Sequence, residues 1–144
     1  MSCMAYGKEN LSIEHHVGNI TIAELFETYG VFERGYKNYV PANLDKTSIK
    51  GVSVKILFGT WCHDSKRELP RLLKIFKQIG IEDTNIELIA VGINKKEPQG
   101  RATELGLIYT PTFIFFRGTE EVGRIIEKPK LSLELDIARI LSGI

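Results

Sequence analysis

The chain has 144 residues, of which 43% are hydrophobic, a length and composition that fit one domain built around one core. Its 19 basic and 18 acidic residues leave a formal net charge of +1, so no overall field favours nucleic acid or an anionic membrane as a partner. The two cysteines, Cys3 and Cys62, are too few for the disulfide framework of a small secreted protein. Local chemistry must therefore indicate the function.

The first twenty residues are mixed and polar, and they lack the apolar run of roughly 7 to 15 residues that a signal peptide requires. We therefore expect a cytoplasmic protein, with the periplasm as the alternative if the chain is the mature part of an exported protein. Every apolar stretch is of strand length, far below the roughly 20 residues that cross a bilayer. We expect no membrane partner and a monomeric chain.

A polar connection at residues 41–51 separates two patterns and predicts a subdomain boundary. Before it, Thr21 is a candidate helix cap, and Gly30 and Gly35 interrupt the helical pattern that follows. The apolar residues that recur there at helical spacing are Ile22, Leu25, Phe26, Tyr29, Phe32 and Tyr36. We predict a two-piece helix and interpret residues 1–50 as an N-terminal helical extension.

The aromatic residues of this extension form one helical face: Phe26, Tyr29, Phe32, Tyr36 and Tyr39. We expect this face to pack against the sheet of the domain. The alternative is a partner or dimer surface.

After the boundary, strand and helix patterns alternate. Strands are predicted at 52–58, 86–91, 112–116 and 120–126, the last two as a hairpin around Gly118. Helices are predicted after residue 62, at 101–105 and at 131–141, where alternation also allows a strand. The charged run at 95–97 is expected to be solvated. These elements predict an α/β sandwich with a central mixed sheet flanked by helices.

Cys62 follows the first of these strands, after the turn Gly59-Thr60 and Trp61, and begins a helix. Unpaired N–H groups and the positive end of the dipole stabilise a thiolate there, and such cysteines can have pKa values of roughly 3.5 to 7.5 instead of about 8.5. We therefore expect Cys62 to be a nucleophile. Trp61 would supply a flat apolar wall for a partner peptide.

The motif WCHDS after VKILFGT, followed some fifty residues later by YTPTFIFF, resembles the thioredoxin superfamily over about residues 50–143. The resemblance implies a thioredoxin-like domain with its core at 51–144, and a cis-proline at Thr110-Pro111 facing the cysteine. The backbone of the residue before that proline would pair with a substrate chain. The subgroup it looks most like is bacterial, with a W-C-x-D-S motif and a proline, here Pro70, that would kink the helix.

The sequence differs from the dithiol members of the superfamily at positions that affect the mechanism. Ser65 occupies the place of the second cysteine, so Cys62 cannot be resolved within its own motif. The hydroxyl of Ser65 could instead donate a hydrogen bond to the Cys62 thiolate. Residues 54–58 hold no acid at the family's buried position, so proton handling must differ.

Two further titratable groups lie inside the motif. A charged His63 would stabilise the thiolate and the Asp64 carboxylate would oppose it, so sequence leaves their net effect open. The resemblance makes Cys62 and Ser65 the catalytic residues, and the substrate-binding residues Trp61, His63, Asp64, Thr110 and Pro111.

Several other site chemistries are disfavoured. Cys3 could resolve Cys62 through a long loop, but nothing in the sequence around it would position it. Cys3 with His15 and His16 lacks the spacing of a metal site, so no metal is expected. The glycine-phenylalanine pair of iron-sulfur monothiol glutaredoxins and the threonine spacing of peroxidases are both missing from the motif.

Two hypotheses remain. The first is a monothiol oxidoreductase that forms mixed disulfides with protein thiols or disulfides and uses no resident cofactor. Glutathione or another external thiol would then free the protein from the mixed disulfide. The second is a thioredoxin-fold module that binds peptides or proteins without redox turnover.

Overall fold

The computed structural model describes residues 15–44 and 48–142. Cys3, with the rest of residues 1–14, lies outside the described residues. The strands are β1 (Gly18–Ile20), β2 (Val52–Phe58), β3 (Ile86–Ala90), β4 (Thr112–Arg117) and β5 (Glu120–Ile126). The helices are α1 (Ile22–Thr28), α2 (Gly30–Asn38), α3 (His63–Ile79), α4 (Arg101–Glu104) and α5 (Leu133–Ser142), with one 3₁₀ turn at Asp83–Asn85.

Within the described residues, one mixed sheet has the strand order β1-β3-β2-β4-β5. The central strand β2 pairs in parallel with β3 and antiparallel with β4, and β4 and β5 form the predicted hairpin. This sheet with its flanking helices confirms the predicted α/β class and agrees with a thioredoxin-like sandwich. The proposed division at about residue 50 stays a prediction.

The sheet carries two apolar layers of unequal size. The larger one packs α1, α2, α3 and α5 on one face, and includes the fully buried Phe32, Phe58, Phe76 and Phe115. The smaller layer lies on the other face, where the short α4 contributes Ala102. The strands therefore present apolar side chains to both faces near the end of β2 that leads to Cys62.

The N-terminal helices form as predicted in two pieces. Thr21 caps α1 through a reciprocal pair of bonds with Glu24, and the break falls at Tyr29. The aromatic face packs on the core, with Phe32 fully buried. The structure adds the strand β1, which pairs antiparallel with β3 and was not predicted. The described part of the extension is therefore helical but also joins the sheet.

Gly35 lets α2 lie close against α3. A Cβ atom at this position would stand 3.1 Å from Cβ and Cγ of Pro70, which lies inside α3. The glycine that weakens the helix in isolation therefore allows the close packing of α2 on α3.

The segment after Pro129 forms the helix α5, so the strand alternative for 131–141 is wrong. The buried Asp136 carboxylate accepts hydrogen bonds from the backbone N–H groups of Lys130 (2.7 Å) and Leu131 (3.3 Å). These bonds tie the segment before the helix to the first turn of the helix. No helix within the described ranges is long and apolar enough to cross a membrane.

Candidate active site

Cys62 lies where β2 turns into α3. It is the N-cap residue of α3, with extended backbone angles, and its carbonyl accepts the N–H of Lys66 at 3.0 Å. Its own N–H donates to the carbonyl of Gly59 at 3.1 Å, which closes the connecting turn. The residue is 9% exposed and is the free cysteine among the described residues. The sulfur therefore lies just beneath the surface at a helix start, as the sequence predicts.

Thr110 binds the sulfur from the opposite side of the site. Its hydroxyl Oγ1 donates to Cys62 Sγ at 3.1 Å, and the thiol donates in return to the Thr110 carbonyl at 3.4 Å. The Thr110–Pro111 peptide bond is cis, and both residues are buried. The structure thus brings together the two sequence motifs that carry the resemblance.

Ser65 does not make the expected hydrogen bond. Its side chain is completely buried, and its Oγ accepts the backbone N–H of Gly59 at 3.1 Å instead of facing Cys62. This is a correction to the sequence-based expectation, since Thr110 supplies the hydroxyl that touches the sulfur. Ser65 stabilises the turn that leads to Cys62.

Trp61 packs over this turn beside Cys62. Its indole Nε1 donates to the carbonyl of Val91 at 2.9 Å. A Cβ atom on Gly59 would fall 2.4 Å from the indole ring, so only glycine allows the ring to lie there. The ammonium group of Lys95 stands 5.9 Å from the ring centroid. The half-buried indole is therefore held between β2 and the loop after β3.

The loop after β3 is held by a buried carboxylate. Glu97 was expected to be solvated, but it is 8% exposed, and it accepts hydrogen bonds from the N–H groups of Gln99, Arg101 and Ala102. Its carboxylate also pairs with the Arg101 side chain at 3.0 Å. Burial alone would raise the pKa of Glu97, yet these bonds hold it below its usual range. The expectation was wrong because the run precedes a helix whose first N–H groups need an acceptor.

Asp64 is engaged by a cation that sequence reasoning did not assign to the site. Arg67 pairs with Asp64 at 2.7 Å and with the buried Glu68 at 2.7 Å. The hydrogen bond from Arg67 to Glu68 raises the pKa of Arg67 most, and the hydrogen bond to Asp64 raises it further. His63 is exposed. The Asp64 carboxylate, which would oppose a thiolate at Cys62, is therefore paired with a cation. The i,i+3 spacing of Asp64 and Arg67 on a helix is the sequence signal for this ion pair.

Exposed apolar side chains lie beside the Thr110–Pro111 bond. Ile108 is 66% exposed and Tyr109 is 53% exposed. The Tyr109 carbonyl accepts the hydroxyl of Thr112 at 2.7 Å, which fixes the backbone between them. These two exposed side chains directly precede the cis peptide bond whose threonine contacts Cys62.

The two histidines considered as metal ligands contact other groups of the protein, and Cys3 lies outside the described residues. His15 Nδ1 is 3.5 Å from the Thr60 hydroxyl, and His16 Nε2 is 2.9 Å from the Asn19 carbonyl. The described part of the chain has no cluster of three or more histidine, cysteine or acidic side chains that could hold a metal. The contribution of Cys3 stays a prediction.

No known family model matches the chain, and no curated protein does either. The chain is similar to a solved thioredoxin of Fasciola hepatica, with 21% identity, a TM-score of 0.45, and coverage of 65% of this chain and 81% of that one. Mitochondrial thioredoxin 3 of Saccharomyces cerevisiae is similar at 18% identity and a TM-score of 0.45, over 66% and 80% of the two chains. A protein of unknown function from Pseudomonas aeruginosa is similar at 19% identity and a TM-score of 0.45, over 86% and 89%. At these values the similarities carry no functional argument, so the functional proposal rests on the geometry around Cys62.

Proposed function

We propose that the protein is a bacterial, cytoplasmic monothiol thiol-disulfide oxidoreductase that acts through the Cys62 thiolate. The observation that carries the proposal is the hydrogen bond from Thr110 Oγ1 to Cys62 Sγ at a helix start. Hydrogen bonds to the charged form of a group favour that form, and the unpaired N–H groups of a helix start act in the same direction. The proposal requires no resident metal or cofactor.

The chemistry follows from serine at position 65. The Cys62 thiolate attacks the glutathione sulfur of a glutathionylated partner cysteine, so a Cys62–glutathione disulfide forms while the partner sulfur leaves and takes up a proton. Ser65 has no thiol to attack this mixed disulfide. A second glutathione thiolate then attacks the glutathione sulfur, which forms glutathione disulfide and releases the Cys62 thiolate. In balance, the partner cysteine is reduced to a thiol and one free glutathione is oxidised, which leaves as glutathione disulfide together with the glutathione that the partner had carried.

A partner protein disulfide would enter by the same first step. The Cys62 thiolate attacks one partner sulfur, forms a mixed disulfide and releases the other partner sulfur as a thiolate. An external thiolate then attacks the partner sulfur in the mixed disulfide and frees Cys62. The partner is left with one free thiol and one disulfide to the external thiol.

The test is deglutathionylation of a model peptide, coupled to glutathione reductase and NADPH. Turnover should be lost in Cys62→Ser and kept in Cys3→Ser, the matched control on the other cysteine. Turnover that survives in Cys62→Ser would refute the site, and its loss in Cys3→Ser would replace the monothiol mechanism by a dithiol one.

A variant with a second thiol tests the monothiol step directly. Ser65→Cys should shorten the life of mixed disulfides, because the new thiol can displace the partner and close a disulfide with Cys62. Mass spectrometry of the trapped species under non-reducing conditions measures this. An unchanged lifetime would contradict the proposed role of position 65.

The second candidate function is peptide or protein binding without redox turnover. The observation that favours it is the low exposure of Cys62, 9%, beside the exposed side chains of Ile108 and Tyr109. In this case partners would bind equally well to the wild type and to Cys62→Ala. Binding that needs the sulfur atom would exclude it.

A further inference from the structure

A small groove lies between α2 and α3, along the helix that begins after Cys62. It encloses about 210 Å³ and is lined on the α2 side by Gly35, Asn38 and Tyr39. Its α3 side is formed by three cationic residues, Lys66, Arg67 and Arg71. The groove is thus a basic concavity on the same helix as the nucleophile.

The three cations differ in how they are paired. Arg67 is engaged by Asp64 and Glu68. Lys66 and Arg71 form no ion pair with any carboxylate of the described residues, and the Arg71 guanidinium instead lies 5.3 Å from the centroid of the Tyr39 ring. Both side chains are half-buried. Their positive charges therefore line one partly desolvated groove without an ion-paired carboxylate, although the charge of Arg71 also helps to lower the pKa of Glu134. Such a groove is a favourable place for an anion.

The acids closest to the groove are engaged by other groups. The Glu134 carboxylate accepts the Tyr39 hydroxyl at 2.6 Å and the N–H of Ala42 at 2.9 Å. The Glu68 carboxylate pairs with Arg67. Neither carboxylate forms an ion pair with Lys66 or Arg71. The charge of Arg71 helps to lower the pKa of Glu134 and is therefore partly offset, while Lys66 keeps its charge for a ligand.

The groove also lies close to the reacting sulfur along the helix. The N–H of Lys66 donates to the Cys62 carbonyl, one helical turn away. Arg71 lies nine residues beyond Cys62, about 14 Å along the axis at roughly 1.5 Å per residue. A substrate joined to Cys62 through a disulfide could therefore place a carboxylate in the groove if that carboxylate lies within a few residues of the substrate's reacting cysteine.

We propose that Lys66 and Arg71 bind a carboxylate of the disulfide substrate, so that the protein prefers partners with an acid close to the reacting cysteine. This inference rests on the proposed oxidoreductase function. The carboxylate can belong to an acidic side chain of a protein or to glutathione, and both would use the same two cations.

The experiment compares two peptides activated as thiopyridyl disulfides, one with glutamate and one with glutamine flanking the cysteine. Release of pyridine-2-thione measures the attack by Cys62 at neutral pH and low ionic strength. The wild type should react about two- to fivefold faster with the glutamate peptide, as expected for charge pairs at a surface. About 1 M salt should remove the difference, because the screening length then falls to about 3 Å.

The variant Lys66→Gln/Arg71→Gln should react with the two peptides at equal rates, so that the ratio of the two rates, and not either rate alone, is the measure. Lys77→Gln removes a charge from the exposed last turn of the same helix and should keep the preference. Equal rates in the wild type for the peptide pair and also for thiopyridyl glutathione and its dimethyl ester, or a preference that survives in the double variant, would overturn the proposal. Loss of the preference in Lys77→Gln would also overturn it.

A second arm separates the two sources of the carboxylate by comparing thiopyridyl glutathione with its dimethyl ester. A preference confined to glutathione assigns the groove to glutathione, and one confined to the peptides assigns it to acidic proteins. Should Cys62 react with none of the probes, the oxidoreductase function fails. The groove is then tested by NMR titration of Cys62→Ser with a glutamate peptide that has no thiol, where unshifted signals of Lys66 and Arg71 would overturn it.

Discussion

Thr110 and Cys62, 48 positions apart in the chain, exchange two hydrogen bonds: the hydroxyl donates to the sulfur at 3.1 Å and the thiol donates to the carbonyl at 3.4 Å. A thiolate keeps the first bond and loses the second. A hydrogen bond to a charged group contributes about 1.5 to 3 kcal/mol, against about 0.5 to 1.5 kcal/mol for a neutral one. The Thr110 hydroxyl therefore favours the reactive form of Cys62.

The first prediction concerns this hydroxyl. Thr110→Val keeps the shape of the side chain and the carbonyl but removes the donor, and it should slow alkylation of Cys62 by iodoacetamide at neutral pH by about fivefold. Thr103→Val, at an exposed position of α4, is the control and should leave the rate unchanged. An unchanged rate in Thr110→Val would show that the hydroxyl has no influence on the thiolate.

The second prediction concerns the charge next to Cys62. Arg67→Gln leaves Asp64 and the buried Glu68 without their cation, so the alkylation of Cys62 should slow and the free energy of unfolding should fall by about 1 to 3 kcal/mol. Urea unfolding and alkylation kinetics measure the two effects.

A double variant separates these two effects. Asp64→Asn/Arg67→Gln removes the Asp64 carboxylate, two positions from Cys62 in the chain, along with the arginine, so the alkylation rate should recover. The loss of stability should persist, since Glu68 is still buried and unpaired. A rate that stays low in the double variant would mean that Arg67 acts on Cys62 in some other way than by pairing Asp64.

The third prediction follows from the bond between Tyr39 and Glu134. Burial of Tyr39, and then its hydrogen bond to Glu134, raise the pKa of Tyr39 to about 12. Burial alone would raise the pKa of Glu134, but the bonds from Tyr39 and from the Ala42 N–H hold it below its usual range. The pair should therefore stabilise the fold between these two titrations and lose its effect on either side.

The free energy of unfolding measured against pH tests this. Tyr39→Phe should cost about 1.5 to 3 kcal/mol at neutral pH, while Tyr109→Phe, at an exposed position, should cost nothing measurable. A raised folded pKa gives stability that is complete below about pH 10, the unfolded value for tyrosine, and is lost as pH rises toward about 12. The difference between the wild type and Tyr39→Phe should shrink over that interval.

At the acid end, the depressed pKa of Glu134 gives stability that is present above about pH 4.3, the unfolded value, and is lost as pH falls through the folded pKa. The difference between the wild type and Glu134→Gln should therefore shrink below about pH 4.3. A difference that is constant with pH would exclude the coupling.

The fourth prediction concerns the contact of α2 with α3. Gly35→Ala places a Cβ atom 3.1 Å from the ring of Pro70 and should destabilise the fold by about 1 to 3 kcal/mol. Gly30→Ala is the matched control in the same helix, because its nearest neighbour is the end of the flexible Arg34 side chain. Thermal unfolding should show a lower midpoint for the first variant only. Equal midpoints would mean that the helices adjust without cost.

The elements with strong apolar periodicity could be predicted from the sequence. The strands β2 to β5, the helix α3 and the two-piece helix before them agree with the structure. The strand β1 could not, because its three residues have no periodicity of their own and depend on pairing with β3. The helix α5 was predicted from its place after Pro129, and the strand alternative was left open because nothing in the pattern showed that Asp136 binds the backbone just before the helix.

The site was predictable in its position and less so in its contacts. A cysteine between a strand and a helix indicates where a nucleophile lies. Nothing local shows which hydroxyl reaches the sulfur, since Ser65 and Thr110 lie at 3 and 48 positions from it and the sequence favoured the nearer one. Side-chain direction decides the outcome, because the buried Ser65 turns toward the Gly59 N–H.

The ends of the sheet bear on how copies of the chain behave at high concentration. Among the described residues, one outer strand of the sheet, β1, has only three residues. The other, β5, carries an ion pair between Glu121 and Arg124, and its pairing with β4 is irregular at Phe115 and Phe116. Short, charged or irregular outer strands are poor templates for adding a strand from another molecule. Edge-to-edge aggregation is therefore opposed at both margins by the backbone pattern itself.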